Sequence, residues 1–181
     1  MMTWVVMLGA IVAAGVLQTE LPGFAWLGQA KPPVLLAIVL YYALQRTRPV
    51  MATAAVAAGL MQDALSPLPL GASAGGFLLA GWYVSRFRKV VLTESVLTQG
   101  FFGLVTGMAV TLVLYVMLVL ESRIGIPVGR LILKTLGNGI LGMLVAPPVC
   151  WLLNRLDRMV GNIVLGAEVE EAIDEFEEAT G

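Results

Sequence analysis

PVLLAIVLYYALQRTRPVMATAAVAAGLMQDALSPLPLGASAGGFLLAGWYVSRFRK, residues Pro33 to Lys89, holds three apolar runs separated by two abrupt breaks. The first break, Gln45 to Pro49, carries Arg46 and Arg48. The second contains Ser66, Pro67 and Pro69, and a proline cannot continue a helix because it lacks the amide hydrogen and its ring clashes with the preceding turn. Three helices are therefore predicted, over Pro33–Gln45, Val50–Leu65 and Leu70–Arg86. Working outward, further apolar runs at Thr3–Thr19, Val96–Leu120 and Leu131–Leu153 predict three more.

These helices belong in lipid. Apolar residues make up 59% of the 181 and charged residues 13%, against about 45–50% and about 25% in soluble domains. Mean hydropathy is +0.89. A hydrocarbon core of about 30 Å needs roughly 20 apolar residues per crossing, so the chain has room for about six helices in a compact bundle and no second folded domain. Residues 1–160 are read as one polytopic transmembrane domain and 161–181 as an acidic cytoplasmic tail. The first twenty residues hold no base, so the charged start of a signal peptide is missing and a retained first helix is expected.

Charge distribution sets the expected orientation. Six crossings from a cytoplasmic N-terminus put Arg46, Arg48, Arg86, Arg88, Lys89, Arg155 and Arg158 inside and Lys31, Arg123, Arg130 and Lys134 outside, in keeping with the excess of bases in cytoplasmic loops. The apolar core of the second run, VLLAIVLYYAL, covers only about 17 Å as a helix, so on length it suits a re-entrant segment. Charge favours a crossing, because otherwise Arg46, Arg48 and the Arg86–Lys89 cluster all move outside. Both termini are then cytoplasmic. Tyr41 and Tyr42 before Arg46, Trp82 and Tyr83 before Arg86, and Trp151 before Arg155 are expected at the inner headgroup level.

Several function classes are excluded or weakened. There is no histidine and one cysteine, Cys150, which removes the commonest metal ligand, histidine-based triads and any intrachain disulfide. No paired acids, serine–base pair or metal cluster is visible in the apolar runs, so no catalytic, cofactor or metal site is expected and the chain is read as a non-enzyme. No nucleic-acid partner is expected.

Small residues mark close helix contacts. Ala52, Ala54, Ala55, Ala57, Ala58 and Gly59 make the third helix thin, and Gly71/Gly75 and Gly103/Gly107 are GxxxG pairs. Lys134, Asn138 and Gly142 share a face; a buried polar stripe is one reading, a lysine snorkelling to the headgroups the other. Pro147 and Pro148 should kink the last helix. In the tail, Val169, Ala172, Ile173, Phe176 and Ala179 fall on one helical face among seven acids, which suits either a docking helix for a basic partner or a solvated end.

The most informative residues are Asp63, Ser66, Pro69, Leu70 and Gly71. Asp63 lies near the end of an apolar run, where an ionisable residue is a functional candidate by default. A structural role is favoured: the carboxylate accepts amides at the start of the fourth helix, Ser66 caps others, and Gly71 admits a close helix approach. The alternative is a charge paired with Arg130 or Lys134. Together with Gly59-Leu60, this run resembles the motif of the rod shape-determining protein MreD family, as do the tyrosine-bearing helix from Pro33, the basic turn Arg46–Pro49 and the terminal cluster Arg86–Lys89. The resemblance covers about Pro32 to Lys89. Pro67, the absence of histidine in Ala72–Ala74 and the acidic tail depart from it.

The resemblance implies a small bacterial inner-membrane protein without a known reaction, associated with an MreC-like membrane protein. Through it the chain would meet MreB filaments and the RodA–penicillin-binding-protein synthases of side-wall peptidoglycan. The family's fold is also similar to the S-components of energy-coupling-factor transporters, so a solute-binding transporter subunit is the alternative function; Gln62, Gln99, Lys134 and Asn138 are the few polar residues available to it.

Overall fold

In a computed structural model the described residues are 2–24, 30–66, 69–87, 95–120 and 128–160. They form six helices: α1 (Met2–Glu20), α2 (Val34–Gln45), α3 (Arg48–Ala64), α4 (Ala72–Phe87), α5 (Val96–Leu120) and α6 (Val128–Met159). No strand occurs among the described residues; a single bridge joins Phe24 to Ala30. The tail and the basic cluster at Arg88 and Lys89 lie outside the described residues.

The limits of α4 and α6 differ from the expected Leu70–Arg86 and Leu131–Leu153. α4 starts at Ala72 rather than Leu70 because Pro69-Leu70-Gly71 form a turn, with the Ala72 amide donating to the Pro69 carbonyl at 3.2 Å. α6 runs through Pro147 and Pro148 as one helix of 32 residues, or about 48 Å at the helical rise.

α2 is the centre of the molecule. All eleven residues from Val34 to Leu44 are buried, and α2 touches each of the other five helices. α2 is apolar on every side, and the surrounding helices leave none of that surface to face lipid. Enclosure also explains its length of 12 residues, about 18 Å: non-helical backbone at membrane depth is tolerated where protein, not lipid, surrounds it. Tyr41 and Tyr42, 1% and 0% exposed, are turned into the protein beside Arg46 and do not face outward. Trp82 and Trp151 do face outward, with the Arg86 and Arg155 guanidinium groups 5.4 and 5.5 Å from their ring centres.

The outer surface is apolar as well. Val5 on α1, Leu79 on α4, Leu97 on α5 and Leu144 on α6 are all more than half exposed, an arrangement suited to lipid as solvent and costly in water. α1, α5 and α6 contain stretches long and apolar enough to cross a membrane, at Thr3–Glu20, Val96–Val119 and Gly129–Met159. The chain is a helical membrane protein.

Helix contacts depend on glycine. On α5, a Cβ at Gly103 would strike the Gly142 backbone, and one at Gly107 would meet the Asn138 carbonyl of α6 at 2.8 Å. A Cβ at Gly59 of α3 would strike the Ala74 backbone of α4. Elsewhere methionines fill the space: Met61 against Gly15, Met51 against Gly81 and Met108 against Gly139. The Gly103/Gly107 pair is thus a packing motif. Gly71/Gly75 is not, since open space surrounds both positions where a Cβ would stand.

This contrast is testable. Gly103→Val should lower the purified protein's thermal midpoint and its membrane abundance by prising α5 from α6. Gly75→Ala should leave both unchanged or raise the midpoint slightly, by up to about 1 kcal/mol of helix propensity.

Candidate functional site

Asp63 lies in the last turn of α3, 2% exposed. One oxygen accepts the Gly71 amide at 2.7 Å and the other the Ser73 amide at 3.0 Å. These donors stand at the entry of α4, where the first amides have no partner within the helix and the dipole favours an anion. Gly71 takes φ +99°, a conformation that L side chains rarely adopt. Its role is therefore to turn the chain toward the carboxylate, which corrects the expectation of a close helix approach. That approach is made by Gly59 and Ala74, one turn away on either side.

The other motif residues divide. The Ser66 amide donates to the Asp63 carbonyl at 3.2 Å, while the cap expected from its side chain involves residues 67 and 68, outside the described residues. Pro69 supplies the carbonyl of the turn. Leu70 projects outward, 77% exposed. Among the described residues Asp63 forms no ion pair with Arg130 or Lys134, both of which are exposed; the capping geometry is what the structure contains. Nearby, Gln18 of α1 donates to Gln62 of α3 at 2.9 Å, tying α1 to the same end.

A second buried acid was not expected. Asp157 of α6, 1% exposed, accepts the Tyr41 hydroxyl at 2.8 Å and the Arg46 guanidinium at 2.9 Å. It secures the end of α2 opposite Asp63. The sequence does carry a signal: Ala146, Cys150, Leu153 and Asp157 follow 4-3-4 spacing, and all four are buried. Asn138 ties α6 to α5 by donating to Thr111 Oγ1 at 2.9 Å, whereas Lys134 is exposed, so the two do not form a buried stripe. No group of three or more metal-binding side chains occurs among the described residues.

Asp63→Asn should be milder than Asp63→Leu, because an amide carbonyl still accepts one donor while leucine strands two, at about 1–3 kcal/mol each. Thermal midpoints and membrane abundance of the two variants measure the difference. Equal loss in both would mean that the negative charge itself is needed. At the other end, Arg46→Met alone leaves Asp157 as a buried charge, a cost of about 3 kcal/mol. Adding Asp157→Leu should recover much of that loss in the same assay.

A family model described as rod shape-determining protein MreD matches residues 1–156. The match takes in α1 to α5 and nearly all of α6, and so extends well beyond the stretch around Asp63. No curated protein and no solved structure matches the chain. With the helical membrane fold and a match over most of its length, the chain belongs to the MreD family of rod shape-determining proteins.

Proposed function

We propose that the protein is a non-enzymatic subunit of the bacterial cell-elongation machinery, held in the inner membrane by six crossings with both termini in the cytoplasm. It partners an MreC-like protein and, through it, MreB filaments and the RodA–penicillin-binding-protein synthases. The observation that carries this reading is the family match over residues 1–156. The Asp63 reversal supports it as the rigid element against which a partner docks, with Leu70 exposed beside it.

Orientation has its own support. Arg46, Arg48, Arg86, Arg155 and Arg158 gather at the end of α2 marked by Asp157, while Lys31, Arg130 and Lys134 belong to the end marked by Asp63. That bias makes the Asp157 end cytoplasmic. A fold likeness to S-components is part of the same proposal and carries no transport function with it.

The experiment is replacement of the native protein in a rod-shaped bacterium depleted of it. Wild type should restore rod shape and bring an MreC-like protein through purification from native membranes. Asp63→Leu, compared at matched abundance, should lose at least part of both. Reporter fusions at Gly181 and within Arg46–Arg48 should both read cytoplasmic; an external reading at either site overturns the six-crossing arrangement.

A further inference from the structure

We draw no further inference here: the strongest candidate, the outward face of α1, where Val5, Gly9, Val12, Ala13 and Val16 lie exposed and open space surrounds Gly9 where a Cβ would stand, suits a second helix and lipid equally, and nothing in the structure shows what covers it.

Discussion

A backbone amide buried away from water must find its hydrogen bond in the protein itself, because leaving it unpaired costs about 1–3 kcal/mol. At the passage from α3 to α4 that constraint meets one carboxylate. Asp63 takes up amides that helix geometry strands at the start of α4, and does so where the chain has already been bent by Pro69 and Gly71. With those donors satisfied, α3 and α4 can lie backbone to backbone at Gly59 and Ala74, leaving α2 a continuous wall to pack against. A reversal built on water-bonded amides would need solvent beside the buried core.

The two ends of α2 are secured differently. Near its start, the Leu35 amide donates to Gln18 at 3.4 Å while Gln18 donates to Gln62, a chain of neutral bonds across three helices. At its finish, the Arg46–Asp157 pair joins residues 111 apart in sequence. Neutral bonds tolerate small shifts in spacing, whereas a buried charge without its partner is costly. The ionic end therefore fixes the register of α2 against α6, and the neutral end fixes which helices assemble around it.

Much of this was legible in the sequence, and the failures have physical causes. An acid followed by prolines and a glycine announces a capped reversal, because few other arrangements reconcile those residues with an apolar helix. Gly71/Gly75 misled because four-residue spacing is the same for a packing face and for a glycine needed at positive φ; only the backbone angle separates them. Asp157 was missed because Arg155 and Arg158 make it resemble the wet end of a helix, although its register matches Cys150 and Leu153. The run VLLAIVLYYAL has no polar face, but α1 and α5 are as uniformly apolar and still expose Val5 and Leu97, so its enclosure follows from packing that the sequence does not display.

The contacts between α3 and α4 are unequal along their length. Near Asp63 they are backbone against backbone at Gly59 and Ala74, with no side chain to rearrange; toward Arg48 the space at Gly81 is filled by Met51, whose unbranched thioether adopts many shapes at little cost. Such a pair behaves like tongs, with a pivot at the reversal and arms that yield at the far end. A pull on the Arg46 end would spread α3 and α4 before it slid them, and the carboxylate at the pivot would feel that load last.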